Sequence, residues 1–217
     1  MVDLNRMGMS NTGGIVGRYS IGGATPFVSD SFTEGSDTAL ASHTGETGAT
    51  WTVHPSYSAS TTVWAATDRI IPTGSPQCYY ASGVPPSADY YVQGSLYVAS
   101  TIAVNFTIAG RIDTSANNMY IGGYFDGTEW RIRKCIGGGF TTLGTPSTNQ
   151  LITPGNAKTV KLVMNGTSLS LYVEGVLEVG PVTDSEISAA GRVGFRSSGG
   201  VSDTTGFHLE NIEAASL

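Results

Sequence analysis

The chain has 217 residues, of which only 13% are charged, with 29 glycines, two cysteines and a net charge of −6. That length suits one all-β unit of roughly 200–250 residues, and the low charge excludes a highly charged disordered chain. The acidic balance excludes the basic stripe that nucleic acid demands and the polybasic anchor that an anionic membrane demands.

Residues 1–26, Met1 to Pro26, are rich in glycine and methionine and follow neither a helical nor a strand period. They read as an extended arm, either loose or ordered on a neighbouring subunit. Asp3 and Arg6 interrupt any apolar run of the ~7–15 residues a secretory signal needs, and the chain opens with Met; both point to an unprocessed product. No stretch reaches the ~20 apolar residues of a membrane-crossing helix.

Residues 27–217 repeat strand, turn, strand. Val92, Leu96 and Val98 alternate with Tyr91, Gln93, Ser95 and Tyr97. Between Ile102 and Ile112, the series Ile102, Val104, Phe106, Ile108 and Ile112 opposes Ala103, Asn105, Thr107, Ala109 and Arg111. Such period-2 alternation marks a strand with one buried face. Met119, Ile121 and Phe125 then read as inward, with Tyr120 and Tyr124 outward. Asp126–Gly127 signals a hairpin. Trp130, Ile132 and Ile136 return inward, against Arg131 and Arg133 outside, until Gly137–Gly139 breaks the strand ahead of another at Phe140–Gly144. Val160, Leu162 and Met164, the Asn165–Gly166 turn, Leu169, Leu171 and Val173, and the Glu174–Gly175 turn into Val176–Val179 form a second meander. Asp184–Ala190 reads as one helical turn capped by Asp184 or Ser185. Gly191–Ser197 and Phe207–Glu213 close the chain. Roughly twelve to fourteen strands, with turn signals every ~8–12 residues, predict an antiparallel two-sheet β-sandwich. Cys78 and Cys135 lack Cys-x-x-Cys spacing; buried reduced thiols are favoured over a single bridge.

Specific strings carry a resemblance: VSDSFTEGSDTALASHTGETGATWT (Val28–Thr52), NNMYIGGYFDGTEWRIRK (Asn117–Lys134), KLVMNGTSLSLYVEGV (Lys161–Val176) and GRVGFRSSG (Gly191–Gly199). In this order the chain resembles the concanavalin A-like lectin/glucanase jelly roll, in the laminin-G-like variety of phage virion and bacterial surface proteins. Asp30 and Phe32, Gly48 and Trp51, Leu169–Gly175, Gly191–Phe195 and Phe207 match the pattern. The resemblance implies that the first and last strands, around Asp30–Phe32 and Phe207–Ile212, are neighbours. It also implies a non-enzymatic structural or decoration protein of a virion, attached to a capsid or tail protein through the arm. Such a protein is a homo-oligomer or lattice-bound, and its lectin-like sandwich takes a glycan. An extracellular carbohydrate-binding module of a bacterial protein is the alternative, and a polysaccharide-acting enzyme the second.

Candidate chemistry is sparse. A glucanase of this fold needs carboxylates two and four residues apart, so that they share one strand face. Here Glu34 and Asp37 fall in a loop, Asp113, Asp126 and Glu129 at strand ends, Glu174 and Glu178 at a hairpin, and Glu210 and Glu213 three apart, on opposite faces of a regular strand. His43, His54 and His208 lack ligand or triad spacing and read as surface or half-buried side chains. No cofactor is expected, although Asp30, Asp37 and Asp203 are the carboxylates a rim-loop calcium would use. Tyr97, Asn105, Arg111, Tyr120, Tyr124, Arg131 and Arg133 lie opposite the expected core positions of successive strands. Together they would make one polar-aromatic sheet face suited to sugar or protein contacts, or an ordinary solvent face.

Overall fold

The computed structural model describes residues 24–217 except 59 and 75, so the expected arm, residues 1–26, lies almost wholly outside the described residues. In chain order the strands are β1 (Val28–Asp30), β2 (Thr38–Ala39), β3 (Trp51–Val53), β4 (Thr61–Trp64), β5 (Arg69–Pro72), β6 (Gln77–Ala81), β7 (Tyr90–Ser100) and β8 (Phe106–Ile112). They continue as β9 (Met119–Phe125), β10 (Glu129–Ile136), β11 (Gly139–Gly144), β12 (Ala157–Asn165), β13 (Ser168–Val173), β14 (Val176–Thr183), β15 (Arg192–Ser197) and β16 (Gly206–Ser216). A single 3-10 turn, Leu40–Ser42, is the helical content of the described residues.

Alternating strands need a second sheet to bury their apolar faces, and the chain supplies two antiparallel ones. The first has nine strands in the order β14-β13-β12-β7-β16-β5-β4-β2, with β1 also on β16; the second has seven, β11-β10-β9-β8-β15-β6-β3. The expected pairing of the chain's two ends is present: Val28 lies opposite Ala214, and Asp30 opposite Ile212.

The core between the sheets is aromatic in its middle. Phe195 stacks between Tyr79 and Phe106, with centroids at 5.7 and 5.6 Å, and Trp51 meets it at 5.9 Å. Each such fully buried ring is worth about 1.5–3 kcal/mol of transfer free energy. Phe32 lies 5.8 Å from Trp51, so three of the residues that carried the resemblance, Phe32, Trp51 and Phe195, form one contact chain. Gly48 is required there: at φ +57, a Cβ would lie 2.3 Å from the Phe27 carbonyl oxygen.

Three local expectations are corrected. Residues 102–105 are not strand; β8 begins at Phe106, and its alternation breaks at a bulge where Arg111 takes φ +49. Asp184–Ala190 forms no helical turn, because its backbone is held elsewhere: Ile187 N–H donates to the Tyr120 hydroxyl and its carbonyl accepts from Arg111. On β9 the two faces are exchanged. Tyr120 and Tyr124 point into the main core, while Met119, Ile121 and Phe125 join Cys78, Ala109, Ile112 and Cys135 in a second apolar cluster outside the seven-stranded sheet. Register requires this, since Trp130 sits opposite Tyr124 and Ile132 opposite Gly122. Gly122 makes it fit: a Cβ there would lie 2.6 Å from Leu171 Cδ1 of the facing sheet.

Candidate functional site

The single polar-aromatic face expected from sequence is not assembled. Its seven residues occupy five places. Tyr120 and Tyr124 are in the core; the Tyr120 hydroxyl donates to Asp184 at 2.6 Å, and burial, reinforced by that carboxylate, pushes the phenol up to about 12. Tyr124 packs edge-on against Trp130 at 4.9 Å. Arg111 is buried at one end of the sandwich because the bulge turns it inward. There it donates to the carbonyls of Ala88, Ile187 and Gly166, each within 3.1 Å, and ties three loops together. Asn105 stands in the loop before β8, where its side-chain oxygen accepts from the Asp126 N–H at 2.7 Å. Tyr97 is on the outer face of the nine-stranded sheet; Arg131 and Arg133 are on the outer face of the seven-stranded one.

These two outer faces differ in how their polar groups are used. On the nine-stranded sheet the charges answer one another. Arg69 lies 3.5 Å over the Tyr97 ring and pairs with Glu210 at 2.7 Å. Lys161 lies 3.7 Å over the Tyr91 ring, whose hydroxyl donates to Glu213 at 2.6 Å. Both tyrosine rings are therefore covered by a cation of the protein. A groove of 390 Å³ lined by Gln93, Lys161 and Tyr172 remains beside them.

The seven-stranded sheet carries a layer of arginines and aromatics over its outer apolar cluster. Arg133 lies 5.5 Å from the Phe125 centroid and 5.2 Å from that of Phe140; Arg196 lies 4.3 Å from Phe140 and 5.7 Å from Tyr57. β11 and β15 are four strands apart, ~19 Å in a flat sheet, farther than these side chains reach. The sheet is thus bowed toward this side. Beneath the layer, register places small side chains in a floor: Gly123 beside Thr107, and Ala109 beside Gly194. Burial pushes the Cys78 thiol in this floor up to about 12, so it is an inert packing group, and both cysteines are free, as the sequence reading favoured.

The arginines of this layer are not equivalent. Arg131 is neutralised by Glu129 and by Asp126 at 3.3 Å. Arg133 and Arg196 have no carboxylate partner among the described residues. Arg133 reaches only the Phe140 carbonyl, at 3.4 Å, and its buried Nε has no acceptor. Arg196 is 9% exposed and donates from Nε to the Tyr57 hydroxyl at 3.3 Å. Burial, then the charges of Arg131 and Arg196, hold the Arg133 guanidinium below its ordinary value. The sequence reading missed Arg196, Phe140 and Tyr57. Arg196 was legible in principle, since Val193 and Phe195 point inward and its neighbour must point out.

The acidic residues are engaged structurally. Glu178 is buried and accepts from the Gln150 backbone and side chain and from Thr148, within 3.0 Å. Glu210 and Glu213 share the outer face of the nine-stranded sheet, not opposite faces, because a bulge at Glu210 adds one residue to β16. Each nevertheless has its own partner, as described above.

All three histidines are buried, in place of the surface or half-buried positions expected. His54 Nε2–H donates to the Asp113 carbonyl at 2.8 Å, and His208 Nε2–H to that of Ser202 at 2.8 Å. His43 sits between two carboxylates, Glu34 at 2.6 Å and Asp30 at 3.0 Å. Asp30 also accepts from Trp51 Nε1 at 2.6 Å and from the Phe32 N–H at 2.8 Å. Its oxygens are thereby filled by donors and turned from a cation. Asp37 accepts from the Ala65 N–H, and Asp203 is exposed on a turn. Among the described residues no three His, Cys, Asp or Glu side chains gather as a metal group.

No family model matches the chain, and no curated protein matches it in sequence. Solved structures do match in fold. The carbohydrate-binding module CBM66 from Bacillus subtilis aligns at 17% identity and TM-score 0.53, over 76% of this chain and 92% of that one. A Bacillus subtilis protein of unknown function with a galectin-like fold aligns at 11% identity and TM-score 0.60, over 84% and 97%. The Bacillus licheniformis β-glucanase aligns at 10% identity and TM-score 0.58, over 91% and 100%. Identities this low carry the fold alone.

Proposed function

Starting from a sandwich of the concanavalin A-like lectin/glucanase fold, we propose that this chain is a non-catalytic glycan-binding module whose ligand lies across the outer face of the seven-stranded sheet. One observation carries the reading: Arg133 and Arg196 lie against Phe140 with Nη donors that meet no acceptor among the described residues. Sugars present an apolar ring face and hydroxyl acceptors together, and an aromatic ring beside unspent donors answers both. The nine-stranded sheet is the poorer platform, because its tyrosines and charges already satisfy one another. Similar structures that include a carbohydrate-binding module support the same reading.

A glycan array tests it. The intact protein should bind saturably, and Phe140→Ala should weaken binding about tenfold, as loss of one stacking contact of ~1.5 kcal/mol would. A flat array with folded protein overturns the proposal. Release of reducing ends from any bound polysaccharide, abolished by Glu210→Gln or Glu213→Gln, would replace it with an enzyme.

The composition of residues 1–26 favours one further role: attachment of the sandwich, in many copies, to a capsid or tail protein of a virion. Co-sedimentation with purified particles supports that role, and absence from intact particles overturns it.

A further inference from the structure

We infer that the ligand of the seven-stranded face is anionic: an oligosaccharide whose carboxylate or sulfate sits between the guanidinium groups of Arg133 and Arg196. The inference rests on the glycan reading of this face and specifies its chemistry. Four of the protein's other cations show what ordinary pairing looks like here. Arg69 has Glu210, Arg131 has Glu129 and Asp126, Lys134 has Asp184 and Glu186, and Arg111 has a cage of carbonyls with Asp89 at 3.7 Å. Arg133 and Arg196 have instead each other, over the same Phe140 ring. Holding two like charges together, one half-buried and one 9% exposed, is unfavourable without a counter-charge. In a chain of net charge −6, no carboxylate among the described residues forms an ion pair with either arginine, and Asp126 nearby is itself paired with Arg131.

The geometry fits an oxyanion. Guanidinium groups match carboxylate and sulfate oxygens with paired, charge-assisted hydrogen bonds. Arg133 Nη1 and the Nη atoms of Arg196 have no acceptor among the described residues. The Tyr57 hydroxyl, which itself donates to Asn117 at 3.1 Å, holds Arg196 from behind. Phe140, against which both arginines lie, and Tyr80, packed on the same outer cluster, are partly exposed and offer ring surface to the uncharged part of the sugar.

The test uses the full chain and a panel of uronate-bearing, sialate-bearing and sulfated oligosaccharides, each beside its neutral counterpart. Carboxylates are reduced to alcohols and sulfates removed to make the neutral set. Affinities are measured by calorimetry for the unmodified protein and for Arg133→Gln, Arg196→Gln, Arg196→Lys and, as a control on the other sheet, Arg69→Gln. A charged member should bind at least about tenfold more tightly than its neutral partner, the size of one charge-assisted hydrogen bond. Arg133→Gln and Arg196→Gln should remove that preference, and Arg69→Gln should keep it. Whether the uronate, sialate or sulfate arm binds identifies the oxyanion. If a glutamine variant fails to fold, the charged-against-neutral comparison on the unmodified protein decides alone. Glycan binding with no preference for the charged members overturns this inference and leaves the glycan reading standing. Absence of binding to every member, charged and neutral, overturns both.

Discussion

His43 and His208 are both buried, yet their environments act on stability in opposite directions. Burial alone lowers the His43 imidazole, but hydrogen bonds and charge from Glu34 and Asp30 outweigh it and raise the net value. With a carboxylate at each ring nitrogen, both nitrogens donate and the ring is a cation. Its contribution is complete below about pH 6.5, the ordinary histidine value, and is lost as pH rises through the higher folded value. Burial dominates at His208, where Nδ1 has no partner and the net value is lowered. The neutral ring's contribution is complete above about pH 6.5 and is lost as pH falls toward the lower folded value. Thermal unfolding across pH should thus fall off on both sides. His43→Gln should flatten the alkaline limb and His208→Gln the acid limb; variants that keep the parent slopes would contradict these assignments. None of this was legible from the residues alone. A histidine between Ser42 and Thr44 looks the same whether it faces water or two carboxylates 9 and 13 positions upstream.

At the scale of elements, the strands were largely legible and their orientation only in part. β10, β12 and β13 alternate cleanly, and Trp130, Ile132, Leu162 and Leu171 are where the alternation puts them. β9 alternates two apolar sets, and period 2 says only that the sets face opposite ways. Met, Ile and Phe outrank Tyr and Gly by hydrophobicity, so the choice goes wrong. The deciding fact is on another strand: Leu171 needs the space that Gly122 leaves. Gly122→Ala should therefore destabilise the protein by ~1–3 kcal/mol, and Leu171→Ala by ~2–5 kcal/mol. The double variant should cost clearly less than the two together in urea unfolding, because each relieves the other; strict additivity would refute the contact. The bulge at Arg111 has the same lesson. Two residues, Gly110 and Arg111, oppose the single Val193 and end the alternation, and a side chain expected on the outer face becomes the tie between three loops.

In the whole molecule, the two ends meet in one sheet, and a single core runs through both sheets. Ile212, 1% exposed and opposite Asp30, is part of that core. Ile212→Ala should cost ~2–5 kcal/mol and shift tryptophan fluorescence and far-UV circular dichroism together; separate transitions would mean the last strand frays independently of the body. The sequence by itself determined the class of fold, most strands and turns from β7 onward and, through the resemblance, the pairing of the ends, because alternation and turn chemistry are local and the motifs at Asp30, Trp51 and Phe195 are written in the chain. Only the tertiary structure decided which arginines keep unspent donors. That property depends on whether a carboxylate from a distant strand arrives: Glu210 reaches Arg69 across 141 positions, whereas among the described residues Arg133 and Arg196 meet aromatic rings, a hydroxyl and a carbonyl but pair with no carboxylate.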